Sequence, residues 1–307
     1  MRENPRFALS EVAEVRRLIE ENPWVSLISA TSAGELVASH YPVILDRAAA
    51  DDEIVLLSHV GRPDEQLHEL GAHELLVIVQ GPHGYISPGW YDAAPAVPTW
   101  NFVTAHLHGT PEILGDAENL GVLADLVDHF EDRMPEPRRM NGTLANAEYA
   151  ARIVSHVGRP DEKLHELGQH EVLVIVQGPH GYISPGWYGN DDFVPTWNHV
   201  TAHLYGTPQI LGDDENFAVL DDLVDHFERQ LPDPVSLDID ETQARRIAKG
   251  TVGIRLVVTR FDARLKLSQN KPPEVVDRII AALETEGPFA SPSLAAEMKR
   301  ERGDAPA

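Results

Sequence analysis

The sequence predicts a mainly β, antiparallel architecture with flanking helices, and three observations carry that prediction. The first is a meander of apolar-rich segments separated by turn residues between Trp24 and His59. The second is the continuous apolar run Glu74–Gln80, read as a strand buried on both faces and feeding an alternating segment from Trp100 to Leu114. The third is a recurrence. Ser58-His-Val-Gly-Arg-Pro-Asp64 returns as Ser155 to Asp161, 97 residues on, and the same offset carries Trp90 to Trp187, Asn101 to Asn198, His106 to His203 and Phe130 to Phe227. A unit this long that occurs twice is a duplication, not a solenoid.

In chain order, Val12, Val15, Leu18 and Ile19 are spaced for a helix over 9–21, with Ser10 as N-cap and Pro23 past its end. Strands follow at 24–30, 35–45 and 53–59, then a short helix at 63–70. Leu120, Leu123, Leu126, Val127 and Phe130 mark a helical face over 117–130, and a further helix is read over 145–154. Past the second copy the sequence places a strand at 254–260, a helix from Pro272 to about 286 and a polar tail. The resulting division is 1–57, N-terminal helix and strands; 58–154 and 155–251, two central units; 252–287, closing strand and helix; 288–307, tail. On this reading the first unit has strands upstream but no closing strand after it. Two arrangements remain open: one unit extruded from a single barrel, or two partial barrels packed as an internal pseudo-dimer. The second buries more apolar surface.

Composition excludes several classes. There is no cysteine, so disulfides and thiolate metal sites are absent, and no apolar run is long enough for a membrane span. The start of the chain lacks a signal-peptide core, which points to the cytoplasm. Twenty-five Lys and Arg against 49 Asp and Glu leave a net charge of −24, which disfavours direct contact with DNA. No GxGxxG follows a strand and no Walker A occurs, so Rossmann and P-loop phosphate binding are excluded. The 15 histidines suggest metal, but no HExxH exists and His68/His73 and His83/His106 lack ligand spacing, so no metal site is read. Tyr85-Ile-Ser-Pro88 is not a nucleophile elbow, and no catalytic residue is assigned.

The densest chemistry lies in Gly81-Pro-His-Gly-Tyr-Ile-Ser-Pro-Gly-Trp-Tyr91 with Val97-Pro-Thr-Trp-Asn101, repeated at 178–188 and 194–198. Together with Ala38-Ser-His-Tyr-Pro42 and Lys266-Leu-Ser-Gln-Asn270, these motifs resemble the PaiB family, FMN-binding negative transcriptional regulators of the flavin-binding split-barrel superfamily. The resemblance spans nearly the whole chain. It implies a six-stranded antiparallel split barrel, dimeric, with FMN held between subunits; the doubled central unit departs from the family pattern. Such a site needs an aromatic wall, hydrogen bonds to the ring edge and cationic or hydroxyl groups for the phosphate. The expected contributors are His40, His59, Arg62, Tyr85, Ser87, Trp90, Thr99, Trp100, Asn101, Lys266, Ser268, Gln269 and Asn270, with Ser184, Trp187, Trp197 and Asn198 as second-copy counterparts. The aromatics could equally be core or interface residues. The resemblance implies a flavin-binding regulator, as a homodimer or internal pseudo-dimer; a flavin-dependent oxidoreductase of the same architecture is the alternative. A third reading is an impaired duplicate with one unit looped out.

Overall fold

A computed structural model describes residues 8–91, 99–135, 149–154, 156–157, 169–189, 195–236, 242, 245 and 254–303. The first helix is α1 (Val12–Glu21), with Glu11 and not the expected Ser10 at the N-cap position and no side-chain cap hydrogen bond. Strands β1 (Trp24–Ala30), β2 (Leu36–Leu45) and β3 (Val55–Val60) form the expected antiparallel meander. Helix α2 (Arg62–Leu67) leads to β4 (Leu75–Ile86), β5 (Thr99–Gly109), β6 (Pro111–Ile113) and helix α3 (Asp116–Glu131). Then come β7 (Tyr149–Val154) and β8 (His156–Val157). The second unit repeats the plan as β9 (Val172–Ile183), β10 (Thr196–Gly206), β11 (Pro208–Ile210) and α4 (Asp213–Glu228), closed by β12 (Ile254–Leu256) and β13 (Arg260–Lys266). Helices α5 (Pro273–Glu284) and α6 (Pro292–Glu301) follow.

The first eight strands form one antiparallel sheet in the order β6-β7-β3-β2-β1-β4-β5-β8. Strands β7 and β8 are a single residue apart in sequence, yet β7 pairs with β3 and β6 while β8 pairs with β5 at the far edge. The sheet therefore curls on itself around a core of Val25, Leu27, Val43, Leu56, Leu75, Val77, Val79 and Leu107, with Val15, Leu18 and Ile19 of α1 plugging one end. Gly81 permits that plug. A β-bulge falls between Gln80 and His83, and a Cβ on Gly81 would stand 2.6 Å from Leu18 Cδ1.

Five expectations are corrected. The helix read over 145–154 is strand β7 from Tyr149 on, because the edges of β3 and β6 both demand a partner there. With β8 it supplies the closing strand that the first unit was expected to lack. The strand read at 254–260 is divided into β12 and β13, and the tail contains helix α6, whose Leu294, Ala295 and Met298 are buried against α5 and β9. Finally, β4 is buried on one face only: Leu75, Val77 and Val79 are inside while Leu76 and Ile78 are half-buried.

The second unit is built on the same register, with its own bulge at Gly178-Pro179 between Gln177 and His180. It forms β13-β10-β9 and β11-β12, so β13 and β12 stand where β8 and β7 stand in the first unit. No counterpart of β1–β3 joins it among the described residues. The two units pack on each other reciprocally. Tyr182 stacks on Phe130 at 5.1 Å and donates to Glu131 Oε1 at 2.7 Å; Tyr85 stacks on Phe227 at 4.9 Å and donates to Glu228 Oε1 at 2.8 Å. Each contact maps onto the other by the 97-residue offset, the signature of a two-fold interface contained in one chain.

Candidate functional site

Alternation along β1 and β2 sends Val25, Leu27, Val43 and Leu45 into the core and leaves Trp24, Ser26 and His40 on the outer face. The second unit lies on that face. The Trp24 and Trp197 rings stack at 5.1 Å with an interplanar angle of 3°, flanked by His180 at 5.9 Å and His199 at 5.1 Å from Trp24. His40 bridges the units: its Nε2 lies 2.9 Å from His203 Nε2, and its Nδ1 lies 3.1 Å from Ser26 Oγ. A neutral imidazole has one donor and one acceptor nitrogen, so one of the two Nε2 atoms carries the shared proton.

Burial holds these imidazoles in the neutral form. It pushes His40 down to about 3, helped by His203, His199, His180 and Arg264. Burial brings His180 to about 4, and brings His59 and His199 there with help from Lys266. The cations come from β13, whose register sets Lys266 opposite His199 and Arg264 opposite Thr201. The field of Arg264 reaches His40, Tyr41, His199 and His203. A positive edge is notable in a chain of net charge −24.

Three buried ring nitrogens of this junction have no hydrogen-bond partner: Trp24 Nε1, His59 Nδ1 and His199 Nδ1. Leaving such a group unpaired costs about 1–3 kcal/mol. A stacked aromatic wall, unpaired ring nitrogens and adjacent cations fit a planar, polar-edged, anionic ligand.

Of the residues expected from sequence, His40, His59, Lys266 and Trp197 converge here. Asn198 and Ser268 lie beneath it, Ser268 Oγ standing 3.0 Å from Asn198 Nδ2, both buried. Gln269 is occupied by its own turn, accepting from Leu267 N–H and donating to Leu265 O. Asn270 is exposed beside it, and Arg62 is exposed at the start of α2. Ser87 and Ser184 are buried and each accepts from the glycine N–H two residues on, Gly89 and Gly186, so both hydroxyls shape turns. Trp187 packs against the apolar cluster of α5 and α6. The first-unit group goes elsewhere: Tyr85 serves the interface, while Trp90, Thr99, Trp100 and Asn101 lie on an exposed face.

Sequence reasoning missed Trp24, His180, His199, His203 and Arg264. One signal was available. His199 is the counterpart of Phe102, so the two copies differ at a position where only the second faces the junction.

The family model described as "Putative FMN-binding domain" matches this chain twice, over residues 1–152 and 143–260. The chain belongs to this FMN-binding family. It is a PaiB-like member with a tandem duplication, and its cofactor is a flavin of the FMN type. It is 35% identical over 200 residues to protease synthase and sporulation protein PAI 2 of Bacillus subtilis (strain 168), covering 65% of this chain and 89% of that one. An uncharacterized protein of Emericella nidulans is 29% identical over 152 residues, 44% of this chain and 60% of that one. Among solved structures, the FAD and heme binding protein from Mycobacterium smegmatis overlaps 51% of this FMN-binding family member and 76% of its own chain, with 19% identity and a TM-score of 0.35. Among the described residues no group of three or more His, Asp or Glu is placed to hold a metal, and no helix is long and apolar enough to cross a membrane.

Proposed function

We propose that this chain is a flavin-responsive regulatory protein that holds FMN non-covalently at the junction of its two units. The observation that carries the proposal is the set of unpaired buried ring nitrogens, Trp24 Nε1, His59 Nδ1 and His199 Nδ1, beside Arg264 and Lys266. The Trp24–Trp197 wall and the imidazoles would hold the flavin ring system, and the β13 cations would neutralise the phosphate. Bound FMN supplies redox chemistry; the residues here bind it, orient it and exclude water. The −24 charge supports action through a protein or metabolite, without direct DNA contact.

The test is a titration with FMN, followed by desalting and an absorption spectrum. Retained flavin supports the proposal; a folded chain that retains none overturns it. One observation favours the oxidoreductase reading. The His40–His203 pair is neutral and hydrogen-bonded, so it could pass a proton to a reacting group. Rapid bleaching of bound flavin by NAD(P)H, with reoxidation by an added electron acceptor over many turnovers, would favour that reading instead.

A further inference from the structure

The reciprocal contacts between the units define a mirror of the junction on the first unit. Its first-unit residues are His83, Trp100, Phe102 and His106, counterparts of His180, Trp197, His199 and His203. Part of the local plan is intact there. Trp100 Nε1 donates to His83 Nδ1 at 3.2 Å, as Trp197 Nε1 does to His180 Nδ1 at 3.3 Å. Phe227 sits edge-on to Trp100 at 5.2 Å, as Phe130 does to Trp197 at 5.4 Å.

What the mirror lacks is everything contributed from outside the repeated unit. His59 lies inside the repeated unit, with His156 on β8 as its counterpart. The other junction residues come from outside it, Trp24 and His40 from the N-terminal meander and Lys266 from the segment Lys266-Leu-Ser-Gln-Asn270. Each of these stretches occurs once in the sequence; after β8 the chain runs into Gly158-Arg-Pro160 instead. Exposure records the loss. Trp100 is 40% exposed against 9% for Trp197, and Phe102 is 58% exposed against 8% for His199. The imidazole that offers an unpaired nitrogen at the junction is replaced at the mirror by a phenyl ring that can make no hydrogen bond.

We infer that the chain binds one FMN, at the junction alone, and that the mirror is a lapsed half of an ancestral pair of sites. This rests on the flavin reading above and deepens it. The count does not depend on assembly. Every chain brings two central units, one meander and one closing segment, and its meander is already engaged at its own junction. A second copy therefore has no spare meander with which to complete the mirror.

The experiment is calorimetric titration of the full chain with FMN, with tryptophan quenching as a parallel readout and molar mass measured by light scattering. One FMN per chain is expected, in monomer or oligomer alike. His199→Phe, which gives the junction the residue tolerated at the mirror, should weaken FMN binding at least tenfold, and His40→Gln is a second junction variant. Phe102→Ala should leave affinity within twofold, with circular dichroism confirming that each variant is folded. Two FMN per chain, or one FMN lost in Phe102→Ala and kept in His199→Phe and His40→Gln, would overturn this inference while leaving the flavin reading intact. No binding by the folded wild-type chain would overturn the flavin reading, and this inference with it.

Discussion

The two central units are near-copies in sequence, yet they live in different physical circumstances. In the first, Leu75, Val77 and Val79 are at most 1% exposed, enclosed by the meander and α1. In the second, Val174 and Val176, the counterparts of Val77 and Val79, are 37% and 50% exposed, because no meander covers them. At the other end the contrast reverses. Tyr188 is buried under α5, with Arg278 donating to its carbonyl, while its counterpart Tyr91 stands open. Burial here is a property of what flanks a unit, not of the unit. The N-terminal segment encloses the core of one copy, and the C-terminal helices complete the aromatic face of the other.

The sharpest way to break that comparison is a charge in the same place in both copies. Val77→Asp puts an unpaired carboxylate in a closed core and should cost at least about 4 kcal/mol. Val174→Asp should cost less than about 1 kcal/mol, because water already reaches the site. Urea denaturation of the two variants decides it. Equal costs would mean that the open sheet of the second unit is covered in solution. The interface gives the next largest effect. Phe130 is buried among Trp24, Tyr182 and Trp197, so Phe130→Ala should cost about 3–5 kcal/mol. Phe227 is half-buried, so Phe227→Ala should cost about 1–2 kcal/mol by the same measurement.

Much of this was legible in the sequence. The duplication, the meander, helices α1 and α3 and the family all follow from spacing and motif. The misread stretch Tyr149–Val154 belongs to the segment Ala145-Asn-Ala-Glu-Tyr-Ala-Ala-Arg-Ile-Val154, whose first four residues lie outside those described; the segment is rich in good helix formers, and intrinsic propensity favours a helix. Two open strand edges outweighed it, and those edges exist only once the sheet has formed. The junction was half legible for a similar reason. His40 and Lys266 sit in recognisable motifs, but His180, His199 and His203 matter only because the second unit turns them onto Trp24. No local pattern encodes that approach.

The histidine junction makes the pairing of the units sensitive to acid. Burial lowers His40, His59, His68, His180 and His199 from 6.5 to between about 3 and about 4. Below pH 6.5 the unfolded chain takes up protons that the folded chain refuses. The stability contributed by each neutral imidazole is therefore complete above about 6.5 and is lost as pH falls towards the folded value. Each fully buried group contributes a slope of up to about 1.4 kcal/mol per pH unit in that window. Urea midpoints between pH 7.5 and 4.5 should fall accordingly, and His40→Gln should flatten the curve by about one proton. A flat wild-type curve would contradict the burial of this cluster.

The smallest effects test whether the two reciprocal locks are equal. Tyr182 and Glu131 are both buried, and Tyr182→Phe removes a charge-assisted hydrogen bond from a site without water, at about 2 kcal/mol. Tyr85 is half-exposed, and its partner Glu228 also accepts from Val235 N–H at 2.9 Å. Glu228 is itself buried but keeps that second donor when the hydroxyl is lost, so Tyr85→Phe should cost less, about 1 kcal/mol. The double variant should cost the sum to within about 0.5 kcal/mol if the locks act independently. A larger loss would show that the units engage as one cooperative body. Equal single losses would show that the lock beside the open face is as dry as its partner, and the asymmetry would then end at the sheet cores and leave the interface symmetric.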